Sequence, residues 1–136
     1  MRLFFVFCIS TSLTLLLLSC SEEQLVNPPK FSGTLANFSD IQAKVFSNYA
    51  SNDCHSTGSK KGNLDLTESV SYSSLYNRPS SIYPQFKRVH PGKPNESVLM
   101  MFLRGDVSPQ MPQNGSLPFD TIDSIESWIA KGALRN

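Results

Sequence analysis

The chain has 136 residues, 40% of them hydrophobic, with 12 basic and 11 acidic side chains and a formal net charge of +1. That length suits one small domain once a leader is set aside. The near-balance of charge offers no basic patch for nucleic acid and no acidic tail for a cationic partner.

Residues 1–19 read as a lipoprotein signal peptide. Met1-Arg2 is a short positive start, and Leu3 to Leu18 is mostly apolar. Leu17-Leu18-Ser19-Cys20 then gives a small residue before a Cys, as in a lipobox, so lipidation is expected at Cys20. An uncleaved transmembrane anchor is the alternative. Against it, the run is short for a span of roughly 20 residues and contains Ser and Thr. The expected address is the bacterial cell envelope, lipid-anchored, at the outer membrane or periplasmic face. Residues 20–34 form a polar, lipidated tether, held extended by Pro28-Pro29. The folded domain is expected over residues 35–136. Cys8 leaves with the signal and Cys20 carries lipid. Cys54 is then the only thiol of the mature domain, and no internal disulfide is available.

Ser39-Asp40-Ile41-Gln42 matches a capping box. Ile41, Val45, Phe46 and Tyr49 follow at helical spacing, which predicts a first helix over about 40–48. Cys54-His55 falls just past its exit, entering a Ser/Gly/Lys-rich loop. Thr67 reads as the N-cap of a short helix over about 68–76, which stops before Pro79. Phe86 to His90 reads as briefly extended before the Pro91-Gly92 turn. Asn95 is placed to cap a third helix over about 96–103. Val98, Leu99 and Phe102 form its apolar stripe and Gly105 its stop. Residues 106–118 form another loop. The last helix is predicted over about 121–131, with Asp120 as N-cap. Ile122, Ile125, Trp128 and Ile129 share one face, and Gly132 closes it. There are no internal repeats and no convincing strand pairs. The expected fold class is mostly α, a small loop-rich domain of about four helices.

Cys54-His55 is the second half of a C-x-x-C-H haem-attachment motif, with Ser51 standing where the first Cys belongs. In such a site the Cys sulfurs form thioethers to the haem vinyl groups, and the adjacent His donates a nitrogen to iron. One Cys suffices for one thioether. The plainer reading of His55 is a polar residue at a helix end. Met111, set between Gln110 and Pro112 in a loop, reads structurally as a gap-filling core methionine. Hydrolase readings find no G-x-S-x-G and no H-E-x-x-H. Adjacent Cys54 and His55 are poor geometry for a Cys/His peptidase. One Cys and two His in the mature chain are too few for a zinc site. The chain is therefore not read as an enzyme.

Taken in order, the parts resemble a class I mono-haem c-type cytochrome domain of a bacterial envelope lipoprotein. The resemblance runs over roughly residues 38–134. It rests on Val45-Phe46, Cys54-His55, Gly62 to Leu66, Arg88 to Pro94, Glu96 to Leu99, Gln110-Met111-Pro112 and Ile125 to Ala133. It implies a cytochrome c-like fold that holds haem c, with His55 as proximal and Met111 as distal iron ligand. Cys54 would carry a single thioether, and Trp128, Phe46 and Ile125 would wall the haem. His90 is a rival distal ligand, expected to be exposed. Arg88, Lys60 and Lys61 are candidates to reach the propionates. A His/Met pair raises the reduction potential, which suits electron transfer to redox partner proteins of the envelope. Ser51 departs from the two-Cys pattern and leaves three outcomes open: one thioether, haem held without a covalent bond, or a haem-free domain that keeps the fold as an interaction or assembly lipoprotein.

Overall fold

The computed structural model of the chain describes residues 37–51 and 53–136. The expected signal peptide (1–19), the expected lipidation at Cys20 and the expected tether (20–34) lie outside these residues.

The first helix, α1, begins at an asparagine. The Asn37 side chain accepts from the Asp40 amide at 2.9 Å, with an extended backbone at Asn37 itself. The expected Ser39 capping box is corrected: Ser39 lies one residue inside the helix, and its hydroxyl donates to the Asn136 backbone oxygen. Gln42 is not its capping partner. It is buried, where its amide donates to the Leu66 carbonyl and accepts from the Ser71 hydroxyl. α1 runs without a break through an α turn, Phe38–Ile41, a π-helical segment, Gln42–Phe46, and a last α turn, Ser47–Tyr49. The Ser47 amide and hydroxyl both reach back to the Gln42 carbonyl. Ile41, Val45 and Phe46 are buried, as their spacing predicted. Each such side chain contributes roughly 1.5–3 kcal/mol through removal from water.

The loop after α1 contains a 3-10 turn, Lys61–Asn63. α2 is shorter than predicted, Ser71–Leu75, and Thr67 does not cap it with its side chain. Instead the Asp65 carboxylate captures the Thr67 amide at 3.0 Å and its hydroxyl at 2.6 Å, so the residues after Thr67 turn before they wind. Among the described residues there is no strand. Three isolated bridges (Tyr76 with Val89, Pro79 with Lys87, Lys87 with Ser97) give the 86–90 stretch the extended character expected of it.

A second 3-10 turn, Pro94–Glu96, leads into α3, Val98–Arg104, which starts later than predicted and lacks the Asn95 cap. The Asn95 side chain instead accepts from Arg104 at 2.9 Å. Gly105 does stop α3, at φ 78°. The apolar stripe is also revised: Val98, Met100 and Leu103 are buried, whereas Leu99 and Phe102 are only half-buried. α4 spans Phe119–Ala130. Pro118, not Asp120, stands at its N-cap, and Asp120 sits in the first turn. Ile122, Ile125, Trp128 and Ile129 are all buried.

Part of the core is a seam between the two ends of the described region. The Phe38 ring packs on Trp128 at 5.5 Å, on Phe46 at 6.2 Å and edge-on against Tyr72 at 5.0 Å. The Asn136 side-chain and backbone oxygens accept from the Phe38 and Ser39 amides, both at 3.1 Å. α3 joins α4 through an Arg104–Glu126 ion pair. Among the described residues the architecture is thus the small, mostly α, loop-rich fold of about four helices expected from the sequence.

Candidate functional site

α1 delivers the chain to Cys54-His55 and the loop then locks that dipeptide. The Cys54 amide donates to the Ser51 carbonyl at 3.1 Å, closing a turn over the spacing of the attachment motif. The Cys54 carbonyl accepts from the Lys61 amide at 3.0 Å and the Ser59 hydroxyl at 2.7 Å. His55 donates its amide to the Tyr49 carbonyl, and its carbonyl accepts from the Leu66 amide at 2.8 Å. The Cys54 thiol is free and partly exposed.

The His55 ring is half-buried, with Nδ1 3.3 Å from the Leu64 carbonyl. A carbonyl only accepts, so this bond requires the proton on Nδ1. Burial pushes the His55 pKa below its ordinary value. The Leu64 and Lys61 backbone contacts work the other way without reversing it, and the Lys61 charge lowers it further. Above pH 6.5 the imidazole is therefore neutral, with its Nδ1 tied to the Leu64 carbonyl. Metal-ligating histidines are prepared in this way.

Met111 lies on the loop between α3 and α4. Its amide donates to the Phe102 carbonyl at 3.0 Å, and the neighbouring Gln110 side chain donates to the Leu103 carbonyl at 3.3 Å. The side chain is half-buried, not a fully packed core methionine. No hydrogen bond joins Met111 to His55. Contacts do run from the loop after His55 to the Phe102 carbonyl through a third segment. The Ser81 hydroxyl donates to the Gly62 carbonyl, and Ile82 lies so close that a Cβ on Gly62 would meet its methyl at 3.3 Å. The next residue, Tyr83, packs its ring 6.0 Å from Phe102, whose carbonyl holds Met111. Leu64, Tyr83, Phe102 and Met111 are all half-buried along this trail, and Ile82 is 54% exposed.

The remaining candidates divide. His90 is half-buried, where exposure was expected, and its Nδ1 lies 3.1 Å from a Glu96 carboxylate that Lys93 also contacts. Arg88 spends its terminal nitrogens on the Ser74 and Asn63 carbonyls, both at 2.8 Å. Lys60 stands 3.9 Å from Asp65, and Lys61 is exposed. Trp128 is taken up by the α1–α4 seam, with its indole N–H donating to the Leu134 carbonyl at 2.8 Å. Phe46 and Ile125 are likewise core residues. Sequence reasoning missed the Leu64 carbonyl, Tyr83 and Phe102. Phe102 had a visible signal, since its place on an amphipathic helix left it a boundary residue. A backbone acceptor nine residues from His55 leaves no mark in side-chain identity. Scans against protein-family models, curated proteins and solved structures each found no match for this chain.

Proposed function

We propose that this chain is a lipid-anchored haem protein of the bacterial envelope, carrying single electrons between redox partner proteins. The observation that carries the reading is the His55 imidazole, whose pKa burial lowers and whose Nδ1 is held by the Leu64 carbonyl, on the same turn as the free Cys54 thiol. His55 would hold the iron on one side. Cys54, adjacent on the same turn, would supply one thioether. Met111 would approach from the α3–α4 loop, which two hydrogen bonds anchor to α3. Bound haem supplies a one-electron couple. The chain's own part is to fix the imidazole, to keep water from one face with Leu64, Tyr83 and Phe102, and to present a soft sulfur ligand. Cys20 would carry the lipid that holds the domain at the membrane.

Ser51 favours a second reading, a haem-free domain that serves interaction or assembly. Its backbone carbonyl closes the turn to Cys54, so that turn does not depend on a Cys side chain at this position. An absorption spectrum of the chain expressed in its own host, followed by denaturing extraction and a pyridine haemochrome assay, separates these readings. Haem retained through denaturation means a thioether at Cys54. Haem that is extracted means coordination alone. A chain without haem, in cells that mature other c-type cytochromes, leaves the second reading. Met111→Ala is expected to change the visible spectrum and His90→Ala to leave it unchanged. An unaltered Met111→Ala spectrum would remove Met111 as a ligand.

A further inference from the structure

An open cleft of about 800 Å³, which neither His55 nor Met111 lines, has Lys60, Asp65, Arg78, Arg88 and a group of serines that includes Ser69 and Ser74 in its walls. Its charge is unbalanced. Asp65 is the one acidic residue in the lining, and it is already engaged by Thr67 and Lys60. The two arginines are fastened to consecutive carbonyls near the end of α2. Arg78 donates Nε to Ser73 at 3.1 Å, and Arg88 donates to Ser74 at 2.8 Å. Two guanidiniums are thereby kept close enough to act on each other, with no acid shared between them. Burial, and then the Arg78 charge, lowers the Arg88 pKa from its ordinary value. The terminal nitrogens of Arg78 and the hydroxyls of Ser69 and Ser74 have no hydrogen-bond partner among the described residues.

We propose that this cleft binds a small oxyanion, with Arg78 and Arg88 as charge partners and the Ser69 and Ser74 hydroxyls as neutral donors. Like charges set side by side repel until an anion lies between them. Arg78 is anchored through Nε and keeps its terminal nitrogens for the anion, whereas both terminal nitrogens of Arg88 hold carbonyls, so Arg88 contributes its charge. Neither His55 nor Met111 lines the cleft, so the inference stands whether or not the chain carries haem.

The test is scanning calorimetry of the full chain with inorganic phosphate, against chloride at matched ionic strength. The host-isolated chain, its Arg78→Gln variant and its His55→Gln variant are compared. Phosphate at ten times its dissociation constant is expected to raise the melting temperature by about 5 °C in the host-isolated and His55→Gln chains. Arg78→Gln removes an exposed side chain tethered to one carbonyl. It is expected to fold and to need about tenfold more phosphate for the same rise. A response to phosphate no larger than to chloride overturns the proposal, as does an Arg78→Gln titration matching that of the unmodified chain. A response seen only in the His55→Gln chain overturns it too, because it assigns the cleft to the carboxylates of the haem.

Discussion

At the scale of single residues, His55 and Asp65 are displaced in opposite senses relative to their charge. Burial disfavours the Asp65 anion. The Thr67 hydroxyl and amide, the Thr57 hydroxyl and the Lys60 cation outweigh that and hold its pKa below 3.8. Asp65 therefore stays charged at any pH well above 3.8. The His55 pKa lies below 6.5, so below pH 6.5 the unfolded chain binds a proton that the folded chain resists. The stability contributed by neutral His55 is complete above pH 6.5. It falls as the pH drops from there toward the folded value, and levels off below that. Urea unfolding of the haem-free chain at pH 7.5 and pH 5.5 is expected to give the lower midpoint at pH 5.5. His55→Gln is expected to shrink that difference. An equal difference in both chains would mean that other groups carry it.

At the scale of elements, the α3 terminus controls the Met111 loop. Gly105 adopts φ 78°, and an added Cβ would meet the Gln110 side chain at 3.2 Å, with the Gln110 amide bonded to the Leu103 carbonyl. Gly105→Ala is expected to cost about 1–2 kcal/mol for the left-handed backbone, read as a lowered urea midpoint. It is also expected to speed hydrogen exchange of the Met111 amide, which a purely global loss would not do selectively. Elements of this kind were legible to very different degrees. α4 was plain because Ile122, Ile125, Trp128 and Ile129 repeat on one face over a long stretch. The stop at Gly105 was plain because few residues accept that backbone. The start of α1 was misread because Asn37 and Ser39 both suit a cap, and the choice is made by Asn136, at the far end of the sequence. The π-helical turn was hidden for a similar reason, since it serves a buried Gln42 whose partners are Leu66 and Ser71. In the site, Cys54-His55 could be read from adjacency. The contacts that run from Gly62 through Ser81, Ile82 and Tyr83 to Phe102 could not, because they join residues far apart in sequence.

At the scale of the whole molecule, α1 and α4 hold the domain together, although almost the full length of the described chain separates them. Phe38 and Trp128 meet at the seam, and Asn136 closes over the first amides of α1. The hydrogen bonds from Phe38 and Ser39 to Asn136 bring the two ends of the described region within a few ångströms, so these residues form nearly a closed ring of polypeptide. Joining residue 136 to residue 37 needs only a linker of roughly four or five residues, each spanning about 3.5 Å. The ring can then be opened at Asn114-Gly115, both exposed, where a Cβ on Gly115 would meet nothing within 4 Å. This circular permutant is expected to keep the native helical circular dichroism and a cooperative unfolding transition. In it α4 precedes α1 along the chain, so the pairing that now spans the greatest sequence distance becomes local, and refolding is expected to be faster than in the original order.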